Sequence, residues 1–144
     1  MNKRRCLLFL LLTGLLSTAA WSQSKTDSLW NVWNDPTAAD TSRLKAIQRL
    51  TWPMLNTNLD SAYILANLQL DFAKAKNNQK WIGKACYNIA SYHYLKSEYP
   101  QSIAFYNQSL EIRKKTGDLK GEAAIYGNLG LIYGDQGNNL KDLE

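Results

Sequence analysis

The sequence predicts an all-α fold of antiparallel helical hairpins that repeat about every 40 residues, and three observations carry that reading. Laid against itself at an offset of 40, the chain aligns Asn67 with Asn107, Leu70 with Leu110, Lys74 with Lys114, Lys80 with Lys120 and Asn88 with Asn128. Similar types fall between them: Asp71 with Glu111, Phe72 with Ile112, Ile89 with Leu129, Ala90 with Gly130 and His93 with Tyr133. A fixed period of this size marks a repeat architecture, because one such unit cannot bury its apolar face alone. Second, apolar residues recur at helical spacing, as Ile125, Leu129, Ile132 and Tyr133 do. Third, the connections between these segments are short, which forces successive helices to lie antiparallel.

Residues 1–22 have the three parts of an export signal: basic Lys3, Arg4 and Arg5, an apolar run from Cys6 to Leu16, and Ala20-Trp21-Ser22 as a small-x-small cleavage pattern. The apolar run is too short to span a membrane. Cleavage is placed between Ser22 and Gln23, and a periplasmic or secreted location follows. Cys6 sits directly after the arginines, whereas a lipid-anchored cysteine should follow the apolar run.

Residues 23–39 form an N-terminal segment in which "SLWNVWND" reads as a short helix whose Leu29, Trp30 and Trp33 cover the first repeat. "DPTAAD" is a turn. Repeat one covers about 40–78. Its first helix places Leu44, Ile47 and Leu50 on one face, with Asp40 or Thr41 as cap and Pro53 ending or kinking it near Trp52. Its second helix starts near Asp60 or Ser61. Repeat two, about 79–118, has a first helix carried by Ile89, Tyr92 and His93, a turn at Ser97 to Tyr99, and Pro100 at the first position of the next helix. That second helix uses Ile103, Tyr106, Leu110 and Ile112, runs to about Lys115, and is ended by "TGD". Repeat three, 119–144, is incomplete: Gly137 is expected to end its first helix, and "NNLKDLE" to begin a second.

Composition narrows function mostly by exclusion. Of 17 basic residues three lie in the signal, so 14 remain against 12 acidic ones, a net charge of +2. No basic stripe with interleaved aromatics remains, and Arg113-Lys114-Lys115 suits a helix C-terminus, so no nucleic-acid partner is expected. Once the signal is removed, Cys86 stands without a second cysteine for a disulfide or a zinc site and reads as a small buried apolar residue. No catalytic constellation, metal site or cofactor is expected, and "GNLG" and "GDQGN" fall in and after a helix, where they do not read as phosphate loops.

The stretch "YNIASYHYLKSEYPQSIAFYNQSLEI" resembles the helical hairpin of tetratricopeptide repeat proteins. Ile89-Ala90 stands at that family's large–small pair, His93 at its aromatic position, Ser102 and Ser109 at its small-residue positions, and Tyr99 and Tyr106 at its large ones. Leu129-Gly130, Tyr133 and Gly137 repeat the template. The resemblance spans Asp40 to the end of the chain and implies a right-handed superhelix of about two and a half repeats. The units exceed the family's usual length of about 34 residues, so the helices should be longer by about a turn in total. Ser97, Ser102 and Ser109 replace the usual Gly or Ala, and each hydroxyl can bond back to a carbonyl one turn earlier, which leaves close helix contact open.

The resemblance also implies a non-catalytic module that binds a protein or peptide partner in a concave groove lined by the first helix of each hairpin. Carried over, the groove residues are Lys84, Tyr87, Asn88, Ser91 and Tyr94 in repeat two, then Asn128 and Leu131 in repeat three. Gly127 and Gly134 leave that part of the groove shallow. Affinity would come from Tyr87 and Tyr94, and orientation from Asn88 and Asn128. Lys84, Asn88 and Asn128 resemble the first part of the clamp with which some members hold a peptide's terminal carboxylate. The export signal, "DTSRLKAIQRLTW" and "LDSAYILANLQLDFAKA" together resemble N-terminal extracytoplasmic repeat regions of Gram-negative bacterial signalling proteins. There such repeats precede a transmembrane helix and a histidine kinase, nucleotide cyclase or DNA-binding domain, so the alternative function is that of a truncated sensory ectodomain. Leu129, Ile132 and Tyr133 would face solvent on one side, an open edge to be covered by further repeats or by a partner.

Overall fold

The computed structural model describes residues 25–141; the export signal and its cleavage point lie outside the described residues. Six helices and no strand make up the described residues. Helix α1 covers residues 25–34, and it is followed by α2 (Asp40–Thr57), α3 (Leu59–Ala75), α4 (Gln79–Leu95), α5 (Tyr99–Thr116) and α6 (Leu119–Lys141). From α2 onward each helix packs on the next in the chain, and α2 also touches α4. The first four full helices are 17 or 18 residues long, which is where the extra length of each repeat goes.

Three of the turns are copies of one another at intervals of 20 residues. Asn77, Ser97 and Gly117 each take a left-handed backbone, with φ of 51°, 58° and 69°. The next N–H then reaches back five residues: Asn78 to the Ala73 carbonyl at 2.9 Å, Glu98 to His93 at 2.8 Å and Asp118 to Arg113 at 3.0 Å. This closes the exposed carbonyls of the finished helix. The same residue starts the next helix, since Asn78 accepts from the Trp81 N–H at 3.4 Å and Asp118 from the Gly121 N–H at 3.0 Å. Glu98 makes no such cap, because its carboxylate binds His93 Nδ1 at 2.6 Å.

Four departures from the sequence expectations have physical causes. Of the two outcomes expected at Pro53, an end or a kink, the end does not occur, because Pro53 lies inside α2. It deprives the Arg49 carbonyl of its helical partner, but both residues are exposed, so water can take that role. The cap of α2 is Ala39, without a side-chain bond; Asp40 is already in the first turn, where its charge suits the helix dipole. Gly137 does not end α6, which continues to Lys141, because Gly137 keeps a negative φ and a glycine stops a helix only by turning left-handed. Ser102 and Ser109 do not bond back along their own helix. Ser102 Oγ donates across to the Ala90 carbonyl at 2.9 Å, and Ser109 Oγ to Gly83 at 2.6 Å, pinning α5 against α4.

The apolar core is a series of clusters along the solenoid. Ile47, Leu50 and Leu65 meet Leu29, Trp30 and Trp33 of α1 at one end. Ala66, Leu70, Ala85, Cys86 and Ile89 fill the space between α3 and α4. Ala90, Tyr106, Leu110, Ile125, Leu129 and Ile132 join α4, α5 and α6. Leu129 and Ile132 are therefore buried against α5, and of the three residues expected to face solvent only Tyr133 is exposed. Arg43 fastens α1: its Nε donates to the Trp33 carbonyl at 2.9 Å while its guanidinium lies 4.4 Å from the Phe72 ring centroid.

Ser97 holds a left-handed backbone that costs a residue with a Cβ roughly 1–2 kcal/mol. Ser97→Gly should therefore raise stability by about 0.5–1 kcal/mol after glycine's own entropy loss is deducted. Urea unfolding measures this, and an unchanged or lower midpoint would contradict the turn geometry.

Candidate functional site

Helices α2, α4 and α6 each turn one face to a common trough. On α2 that face carries Lys45, Gln48, Arg49 and Trp52; on α4 it carries Lys80, Lys84, Tyr87, Ser91 and Tyr94, at the three- and four-residue spacing of one helical stripe. α6 contributes Gly121, Ala124 and Asn128. The trough opens into cavities of about 580 Å³ between the N-terminal halves of α2 and α4, about 610 Å³ between those of α4 and α6, and about 160 Å³ toward the C-terminal ends.

The C-terminal cavity is aromatic and internally bonded. Asn128 Nδ2 donates to Tyr87 Oη at 2.9 Å. The Tyr87 ring meets Tyr106 edge-on, with centroids 5.5 Å apart. Ser91 Oγ lies 3.1 Å from Tyr106 Oη and 3.0 Å from the Tyr87 carbonyl, to which it donates. Tyr94 Oη donates to Asp135 at 3.1 Å, and that bond, with burial and the carboxylate's charge behind it, raises the Tyr94 phenol. Burial pushes the Tyr106 phenol up to about 12. Trp52 borders the same cavity.

The N-terminal cavities are cationic. Lys84 Nζ lies 4.4 Å from the Trp81 ring centroid. Burial depresses the Lys84 ammonium, and the like charges of Lys80, Arg113 and Lys45 depress it further. Arg113 is held by Asp118 at 2.7 Å and by Ser109 Oγ at 3.1 Å. Its guanidinium packs so closely on Gly121 that any Cβ there would overlap it.

Of the groove residues expected from sequence, Lys84, Tyr87, Ser91, Tyr94 and Asn128 line the trough. Leu131 is exposed but lines none of these cavities. Asn88 is the correction. It is 1 % exposed and faces inward. Its Nδ2 donates to Gln48 Oε1 at 3.1 Å and to Gln69 Oε1 at 3.2 Å, while Gln69 Nε2 donates to Gln48 at 3.0 Å and to the Leu44 carbonyl at 3.3 Å. An amide at this depth must satisfy its donors locally, so Asn88 belongs to the core between α2, α3 and α4 and cannot orient a ligand. The three-residue carboxylate clamp therefore loses its middle member. Gln48, Trp52, Lys45, Arg49 and Lys80 were not singled out from sequence, although the offset of 40 places Gln48 in register with Asn88 and Asn128.

His93 is a packing residue. Its ring stacks on Phe105 at 5.6 Å and meets Tyr63 and Tyr92 edge-on. Cys86 is buried, which raises its thiol. Among the described residues no group of His, Cys, Asp or Glu could hold a metal, and no helix is long and apolar enough to cross a membrane.

The tetratricopeptide repeat family model matches residues 83–141, from early α4 through α6. No curated protein and no solved structure matches the chain. The hairpin order makes the described residues an all-α helical-hairpin solenoid, and over residues 83–141 it is similar to the tetratricopeptide repeat.

Asn88→Ala should cost about 1–3 kcal/mol, because Gln48 and Gln69 are left with unmet bonds. Equilibrium unfolding checks this, and unchanged stability would remove Asn88 from the core network. Tyr106 adds a pH signature. Its folded pKa is raised from 10.0 to about 12, so its contribution is full below pH 10 and is lost as pH rises toward 12. Tyr106→Phe should flatten that alkaline fall in thermal midpoint, and an unaltered alkaline limb would contradict the burial of the phenol.

Proposed function

We propose that this tetratricopeptide-type solenoid is a non-catalytic interaction module that receives an extended segment of a protein partner in the trough of α2, α4 and α6. The observation that carries the reading is the alignment of one side-chain stripe from each first helix along the same open cavities. An extended segment rests its side chains on Trp52, Tyr87 and Tyr94, with the Tyr87 hydroxyl held in place by Asn128. Aromatic residues in partly desolvated pockets supply most of the energy at such surfaces.

Decapeptides selected from a random display library on the purified protein provide the test. Tyr94→Ala should weaken the selected peptides about tenfold, the equivalent of about 1.4 kcal/mol, with helical circular dichroism unchanged. Full affinity in that variant, with cross-links mapping to α3 or α5, would place binding elsewhere.

The module is read as exported, on the pattern of residues 1–22. N-terminal sequencing after expression in a Gram-negative host should begin at Gln23 or within two residues of it, and a retained Met1 would overturn export. The sensory alternative rests on the segment from Asp40 to Ala75, which resembles the extracytoplasmic repeats of Gram-negative signalling proteins. A reading frame that continues past Glu144 into a membrane helix and an output domain would favour it, and a stop codon there would favour the free module.

A further inference from the structure

The trough has two chemically different ends, and that difference bears on what enters it. At one end Lys45, Arg49, Lys80 and Lys84 line a single cavity of about 580 Å³ whose lining contains no carboxylate. The neighbouring cavity adds Arg113 and Lys120, and its one acid, Asp118, is already paired with Arg113. At the other end stand Trp52, Tyr87 and Tyr94.

The fold compensates these cations only in part: Lys84 lies over the Trp81 ring and feels Asp118, but the cavity it shares with Lys45, Arg49 and Lys80 has no acid in its lining. Lys80 and Lys84 sit in the first two turns of α4, which has no acid in its first turn. A helix N-terminus is the positive end of the dipole and its effect fades within the first turn, so this cost falls on Lys80. Their mutual repulsion and the partial burial of Lys84 add to that cost, and the depressed Lys84 ammonium agrees with it. The recess gathers these charges from α2 and α4, and an anion entering it would relieve the repulsion that the Trp81 ring and Asp118 offset only in part.

We infer that the occupant is an acidic protein segment, with carboxylates lying against Lys45, Lys80 and Lys84 and apolar or aromatic residues following toward Tyr87, Tyr94 and Trp52. The inference rests on the groove reading above. From Lys80 to Tyr94 the α4 stripe spans about 21 Å at about 1.5 Å per residue, the reach of about six extended residues. The site differs from a terminal-carboxylate clamp, because Asn88 is sealed in the core and the cations come from α2 as well as α4. Nucleic acid fits less well. Its charge is uniform along the strand while only half of the trough is cationic, and Tyr87 and Tyr106 pack against each other. A lipid surface is flat, and these cations line a recess.

The peptides selected from the display library on the unmodified protein should carry two or more Asp or Glu residues beside an apolar or aromatic group. Their affinity should fall at least about threefold between 50 and 300 mM salt, as exposed charge pairs are screened. The double variant Lys45→Gln/Lys84→Gln should bind them about tenfold more weakly while its thermal midpoint holds or rises, since a repulsion has been removed. The salt titration needs no variant and stands if the double variant fails to fold. Neutral or basic peptides that still depend on Tyr94 would overturn the acidic partner and leave the groove reading intact, whereas an empty selection would sink the groove reading itself. Tighter binding of oligothymidylate or of phosphatidylglycerol vesicles than of acidic peptides would also overturn the inference, as would a double variant with undiminished affinity.

Discussion

The close approach of α4 and α5 is the constraint on which the rest of the structure is built. Ala90 and Gly83 of α4 face Ser102 and Ser109 of α5, and each serine hydroxyl donates into the carbonyl opposite. The room is small: a Cβ on Gly83 would lie 3.1 Å from the Ile112 methyl. Small residues let the backbones meet, and the hydroxyls satisfy themselves inside that contact instead of needing water. With this seam closed, α4 can offer Cys86 and Ile89 to α3 on one side, and Ala90 joins Tyr106 and Leu110 against α6 on the other. Every later contact depends on α4 being held at that distance.

A second constraint joins the repeats. Gln48, Gln69 and Asn88 come from α2, α3 and α4 and share their amide bonds in a place with little water. Such a cluster is favourable only when every member is in register, because each amide left alone would be a buried unmet group. It therefore works as a lock on how repeat one sits on repeat two, where apolar surfaces alone would tolerate sliding. The same lock determines which polar residues are left for the trough, since an asparagine used in the core is withdrawn from recognition.

The trough in turn shows what packing does not explain. The aromatic half is satisfied by its own hydrogen bonds and would be stable whether or not a partner arrives. The cationic half gathers like charge, with Lys80 at the unfavourable end of the α4 dipole. Natural proteins keep such locally unfavourable arrangements where function requires them. The two sides of the same helix thus differ: α4 turns Ile89 and Asn88 to the core and Lys84 and Tyr87 to the trough.

The hairpins and their turns were legible in the sequence because they depend on local chemistry. A spacing of three and four residues sets each helix face, and Pro100 with "TGD" marks the start and end of α5. The period of 40 in residue types led directly to the solenoid. The identity of His93 as a packing ring followed from its place in that period, and its stack on Phe105 agrees. What needed the tertiary structure was every choice between partners far apart in the chain. Spacing put Asn88 and Lys84 on adjoining parts of one helix surface, but only the arrival of Gln48 and Gln69 made one of them core and left the other at the trough. Ser102 and Ser109 could have bonded within α5; the nearness of α4 decided otherwise. Pro53 and Gly137 carry real local preferences against helix, yet each lies inside one, Pro53 beside an exposed Arg49 and Gly137 without a left-handed backbone. Local propensity sets what each segment can be, and the competition among distant groups for burial and hydrogen bonds sets which face of it is used.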